Sequence, residues 1–235
     1  MKKILLATIL AACTTSAMAA APSALLDVKG KLIMSACTPT LVGASGGGIV
    51  DYGPYTLDDL SSTAVNQLGK KNIDLTINCP VATKVAWEPA DDKASSRAKI
   101  PVENGNYVGD TMSSSGNLYG VGATRGGVNI GNYSLYIDLS KVTANGSRAD
   151  TLIRGSSSNG SAWSSWARST DGATSSLPQE DREFSVSKSG TYTPIGITTA
   201  TFPLVTVLAI QDTTTLNITD DTDLDGQATI TLRYL

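Results

Sequence analysis

Apolar and polar residues alternate along several short stretches of this chain, and the sharpest of these is the last. Residues 226–235 read G-Q-A-T-I-T-L-R-Y-L, with Ala228, Ile230, Leu232 and Tyr234 at every second position. Gln227, Thr229, Thr231 and Arg233 fall between them. Successive side chains on a strand point to opposite faces, so the stretch predicts a strand with one apolar face and one polar face. A strand ending in a free terminus is expected at a sheet edge, and proteins usually blunt such edges. Arg233 is the single charge on this one.

The same period recurs upstream. Residues 72–79 set Ile73, Leu75 and Ile77 against Asp74, Thr76 and Asn78, and residues 81–87 continue as β-rich chain with Val85 and Trp87 on one face. Further strands are predicted in 128–139, through Tyr133, Leu135, Ile137 and Leu139, and in 183–188 and 203–210. Leu118 and Tyr119 suggest a short strand inside an otherwise polar run from 88 to 127. Residues 49–55 predict a brief strand cut by Gly53-Pro54, and 57–60 a turn or a single helical turn. Near the start, Leu26, Val28, Leu32 and Met34 alternate across Gly30, predicting an extended segment with a bend at the glycine. No helical period exceeds two turns and no internal repeat is present. The expectation is an all-β, antiparallel β-sandwich with one solvated face per sheet and long polar loops.

Composition sharpens the cellular setting. Lys2 and Lys3, the apolar run 4–12 and Ala17-Met18-Ala19 have the layout of a signal peptide over 1–19, leaving 20–235 as a single exported domain. An alternative reading makes Cys13 the lipidated first residue of a lipoprotein. The apolar run is too short to span a bilayer, so no membrane span is expected. Without the leader, 16 basic residues face 21 acidic ones, which gives no basic footprint for nucleic acid. Cys37 and Cys79 are then the two remaining cysteines, and in an oxidising compartment they are expected to pair.

The chain has no histidine. The usual base for a serine or cysteine nucleophile is therefore missing, and two cysteines alone make a poor metal set. The expectation is a protein that is not an enzyme and carries no cofactor and no metal. The run 221–226, D-T-D-L-D-G, matches the first half of a calcium loop, but the closing acidic position falls on Leu232, so it reads better as a polar turn. Trp163 and Trp166, in a Ser/Gly-rich stretch, are candidates either for docking a long insertion onto the sandwich or for stacking against a glycan.

Three of these features together resemble a known family. The run K-G-K-L-I-M-S-A-C from Lys29 to Cys37 resembles the start of bacterial chaperone–usher pilins, which place a glycine ahead of the first cysteine of a disulfide at the spacing Gly30 holds here. Cys79 ends an alternating strand, as the second cysteine does in pilins. The C-terminus resembles their β-zipper, whose alternating apolar residues lead to a penultimate aromatic, here Tyr234. The resemblance covers residues 20–90 and 200–235. It implies an immunoglobulin-like sandwich lacking its final strand, with a groove filled first by a periplasmic chaperone and then by the N-terminal extension of a neighbouring subunit at an outer-membrane usher. Ala228, Ile230, Leu232 and Tyr234 would form the groove strand, and Ala24, Leu26 and Val28 the donor strand. This implies a structural or accessory subunit of a surface fimbria contributing to cell adhesion, exported through the periplasm to the cell surface.

The chain also departs from that pattern. Pilins carry a further glycine where this sequence has Thr222, Gly226 being the nearest. The extension 20–29 is short, and the excess length lies in 88–200. These departures look more like a minor or pilin-like subunit than a shaft subunit. The competing expectation, from another class, is a self-complemented secreted module that binds a glycan through Trp163 and Trp166.

Overall fold

The computed structural model describes residues 24–30, 36–43, 45–156, 163–177 and 182–235. The leader, Cys13, Leu32 and Met34 lie outside them. Residues 35–235 form one compact unit. Its strands in chain order are β1 (Thr38–Gly43), β2 (Asn66–Thr83), β3 (Val85–Asp91), β4 (Leu118–Gly120), β5 (Gly131–Ile137) and β6 (Thr143–Ala144). They continue with β7 (Ser147–Arg148), β8 (Asp150–Gly155), β9 (Ala167–Arg168), β10 (Arg182–Ser187), β11 (Ile197–Ile210) and β12 (Ala228–Tyr234). One sheet has the order β1-β2-β11-β5-β4, with β6 also paired to β11 and β7 paired to β6; the other has the order β12-β3-β10-β8-β9. Every described pairing of strands is antiparallel. The fold is a two-sheet, all-β sandwich, as the alternation predicts.

The central contact between the sheets is aromatic. Trp87 of β3 packs 5.1 Å from Phe184 of β10 and 5.3 Å from Phe202 of β11, ring centroid to centroid. Leu75 and Ile77 of β2 and Leu204 of β11 pack in the same core, all essentially inaccessible. Each such side chain contributes about 1.5–3 kcal/mol by leaving water. Cys37 and Cys79 are joined, closing a 42-residue separation and pinning the start of β1 to β2 where Thr38 faces Asn78.

Several elements differ from the sequence pattern for identifiable reasons. β2 and β11, at 18 and 14 residues, are far longer than their alternating segments suggest. β2 runs through Pro80 because the ladder to β11 shifts register between Thr83↔Ile197 and Asn78↔Thr199. The proline sits in that irregularity, where its missing N–H costs no ladder bond. Residues 49–55 form no strand. Gly53 takes φ +76°, and its N–H donates to Asp51 Oδ1 at 2.7 Å, turning the chain where a strand would continue. The 57–60 expectation holds as a single 3-10 turn, Leu57–Asp59.

The polar middle is not only loop. Val102 and Leu118 are fully buried with Tyr136, Val205 and Val207, so the insertion before β4 folds over the outer face of the larger sheet and makes a second small core. Among the described residues no helix is long and apolar enough to cross a membrane.

Candidate functional site

The terminal strand has one partner. β12 pairs along its whole length with β3, from Ala228↔Asp91 to Tyr234↔Val85, and among the described residues its other side has no strand beside it. β1 is likewise paired on one side only, with β2. These two edges belong to different sheets but meet at one end of the sandwich, where the Cys37 N–H donates to the Tyr234 hydroxyl at 2.8 Å. Moving away from that contact the edges are separated by a groove of about 1320 Å³.

The floor of the groove is the inner face of the larger sheet. Ile73, Leu204, Leu208 and Leu135 line it, while Leu41 and Val50 stand on the β1 side and Ala228 and Ile230 on the β12 side. The apolar row expected on β12 is therefore placed as a row. Ala228 and Ile230 face the groove, Leu232 packs half-buried against the main core, and Tyr234, 44% exposed, closes the end. Gly226, just before the strand, passes so close to its neighbours that a Cβ would lie 3.1 Å from the Tyr133 ring and 3.2 Å from the Gly120 carbonyl.

At its far end the groove becomes more polar. The Tyr52 hydroxyl donates to the Thr206 carbonyl at 3.0 Å and lies 3.0 Å from the Thr206 hydroxyl, tying the 48–60 segment to the floor. Burial pushes the Tyr52 phenol up to about 12, opposed by the Thr206 hydroxyl. The buried Tyr119 and half-buried Tyr133 rings stack at 4.9 Å beside this region, and desolvation raises both phenols above their ordinary value. Asp51, Asp220, Asp221, Asp223 and Asp225 line the groove, and among the described residues no lysine or arginine does. Asp220 takes Arg125 at 2.9 Å and Asp225 takes Lys93 at 2.5 Å. Leu232, the residue at the closing position of the calcium-loop pattern, lies inside β12.

The outer face of the smaller sheet carries the second set of candidate residues. Glu183, 1% exposed, accepts from Arg233 Nε of β12 at 2.6 Å and is also bound by Arg154 Nε of β8. The Arg233 guanidinium lies 4.2 Å from the Trp163 ring centroid and that of Arg154 lies 4.4 Å from Trp166. Trp163 also bridges to Ser156. Both tryptophans thus sit half-buried over arginines that converge on one buried carboxylate. In this geometry they dock the insertion onto the sheet, one of the two roles expected of them.

Residues 24–30 form no regular strand; Leu26 and Val28 are exposed, as is Ala24. Residues 26–134 match the family model described as "Protein of unknown function (DUF1120)". Protein GltF of Escherichia coli (strain K12) is 33% identical over 227 residues, covering 89% of this chain and 87% of its own length. The uncharacterized protein YhcF of the same organism is 30% identical over 230 residues, covering 89% and 90%. The chain belongs to the family of GltF and YhcF.

The family-model match takes in Leu26, Val28, all of β1 to β4 and the 48–60 wall of the groove, whereas β12 lies beyond it. The sequence pattern did not point to the Glu183 cluster, because Glu183, Arg154 and Arg233 are scattered over the chain and only strand pairing brings them together. The weak signal available was a charged residue on the polar row of β10 and of β12, Glu183 and Arg233.

Proposed function

We propose that this protein is an exported subunit, structural or accessory, of a chaperone–usher surface fimbria, working by strand exchange and not by catalysis. The reading rests on one observation above all: two strand edges from different sheets, β1 and β12, each paired on one side only among the described residues and flanking an apolar groove. Such a groove is a template for β-strand addition, in which main-chain hydrogen bonds give affinity and alternate side chains give specificity. The disulfide between Cys37 and Cys79 holds the β1 wall, and β3 and the Arg233–Glu183 pair hold the β12 wall. An immunoglobulin-like sandwich missing its last strand would have this form.

In this account a periplasmic chaperone first lends a strand to the groove and the N-terminal extension of a neighbouring subunit later replaces it. Ala228, Ile230, Leu232 and Tyr234 form the acceptor row, and Ala24, Leu26 and Val28 the donor row. The leader over 1–19 directs the chain to the periplasm.

Capture by a chaperone tests the reading. Wild-type chain co-expressed with a periplasmic chaperone of the chaperone–usher class should co-purify as a one-to-one complex, and Ile230→Asp should lose that complex. Wild-type chain that stays monomeric, ignores the chaperone and refolds alone with a high, reversible Tm would overturn it.

A further inference from the structure

The hairpin built on β8 and β9 holds one extra residue, and that residue decides where its tryptophans point. Ser156 bridges to Trp163, the Ser164 N–H donates to the Gly155 carbonyl at 2.8 Å, and Ala167 and Arg168 pair with Ile153 and Leu152. From Trp163 to Ala167 the return strand takes four steps while Ser156 to Ile153 takes three, so Ser165 and Trp166 together oppose Arg154. This is a β-bulge, which re-aims a side chain without ending the pairing. Residues three apart on a regular strand face opposite ways. Here Trp163 opposite Ser156, Trp166 opposite Arg154 and Arg168 opposite Leu152 all fall on the outer face of the smaller sheet.

Among the described residues neither indole is packed in an apolar core. Each rests on guanidinium groups instead. Arg233 lies 4.2 Å from the Trp163 ring centroid, and Arg154 lies 4.4 Å from that of Trp166 and 5.0 Å from that of Trp163. Cations are drawn to the ring faces, which holds both indoles in place with part of their surface still in water. The carboxylates of this patch are the more hidden partners. The Glu183 side chain is 1% exposed against 18% for Arg154 and 35% for Arg233, and Asp150 is 19% exposed against 45% for Arg168. Glu88, the nearby acid on the same face of β3, is partly buried and engaged. The charge offered to solvent here is therefore positive, on a chain that is acidic as a whole.

We propose that Trp163, Trp166 and Arg168 form a binding site for an acidic oligosaccharide, one whose sugars carry carboxylate groups. A pyranose ring has a flat face of C–H groups that leaves water against an indole, and hydroxyls at its edge that need polar partners. Two indoles on one face take successive sugars, and Ser165, exposed between them in sequence, supplies a hydroxyl. Arg168, two residues beyond Trp166 on the same face, presents the planar fork that pairs with a carboxylate. A lipid surface fits less well, because Ser164, Ser165 and Ala167, the exposed residues beside the rings, offer nothing to insert into it. The proposal is independent of the groove. Ala228 and Ile230 face the groove from one side of β12 and Arg233 leaves the other, so a strand in the groove leaves this patch open.

The test is an array of neutral, carboxylate-bearing and sulfated oligosaccharides probed with the full chain, alone and as its chaperone complex. Signal is expected on carboxylate-bearing members and should vanish when their carboxyl groups are reduced to alcohols. For the member bound best, Trp166→Ala should weaken binding at least tenfold, whereas Trp166→Tyr, which keeps a ring, should weaken it much less. Arg168→Ala should also cost about tenfold, and the affinity it leaves should depend less on salt. Urea midpoints of the variants separate lost binding from lost folding. Silence on every carboxylate-bearing glycan, equal binding of the reduced glycans, preference for sulfated ones, or wild-type affinity in Trp166→Ala overturns the proposal. Capture by phosphatidylglycerol vesicles without any glycan signal overturns it too, and assigns the patch to a membrane surface. None of these outcomes bears on chaperone capture, which tests the groove separately.

Discussion

The Tyr234 hydroxyl accepts a hydrogen bond from the Cys37 backbone N–H at 2.8 Å, joining residues 197 positions apart. Through it the last strand of one sheet is fastened to the start of the first strand of the other. Cys37 is fixed a second time by its bond to Cys79, so three strands converge on one corner of the sandwich. The corner closes one end of the groove and sets the separation of its two walls there.

Tyr234→Phe keeps the ring and removes the acceptor, leaving the Cys37 N–H to find water. The expected loss is about 1 kcal/mol, the usual net value of such a bond. A lower midpoint of urea unfolding with an unchanged slope would report it.

Arg233→Ala acts on the opposite face of the same strand. It leaves Glu183 buried with Arg154 as its remaining ionic partner, so the expected loss is that of one charge-assisted contact, about 1.5–3 kcal/mol. Because Arg233 also lies over Trp163, tryptophan emission should change in the folded variant at low denaturant. Arg168→Ala is the control: its partner Asp150 is at 2.7 Å, but the arginine is substantially exposed, and its loss should cost under about 1 kcal/mol.

How far these features could be read from the chain depended on whether a strand faced solvent on one side. β12 and the middle of β2 do, and their period of two is plain. β8 does not: Leu152, on the same face as Arg154, is fully buried, as is Thr151 beside it, so apolar and polar residues no longer sort by position. Val102 and Met112 were illegible for a related reason. They are isolated apolar residues in a polar run, and their partners Tyr136 and Val205 lie on distant strands. Of the groove, the β12 row and the turn at 57–60 were legible, while residues 49–55 of the other wall were misread as a strand because Gly53 and Asp51 turn them. The aspartate run was visible in sequence but acquired meaning only once it was found to line the groove.

Replacing Cys37 and Cys79 together by serine removes the constraint on a 42-residue separation. Chain entropy puts the loss at about 4 kcal/mol, a large share of the stability of an ordinary domain. Limited proteolysis should then cut first near β1, whose exposed edge relies on β2 alone.

Alkaline pH probes the far end of the groove. Tyr52 ionises at about 12 in the folded protein, above the ordinary phenol value, because burial disfavours the phenolate. The neutral phenol is therefore the form the fold favours. Its contribution is fully present below about pH 10 and is lost as pH rises through about 12. Tyr52→Phe should be less stable at neutral pH, having lost the bonds to Thr206, yet should lose less additional stability over that alkaline window. Unfolding curves for both proteins across that window would check the sign.

Amide hydrogen exchange along β12 tests the central claim most directly. In an antiparallel strand paired on one side, every second N–H points to the free edge. In the full chain alone, those β12 amides should exchange quickly while the alternate ones, bonded to β3, remain protected. On addition of the chaperone, or of a peptide spanning 20–36, the fast set in β12 and the matching set in β1 should become protected together. Uniform protection of β12 in the isolated chain, or an exchange pattern that neither ligand alters, would contradict the account.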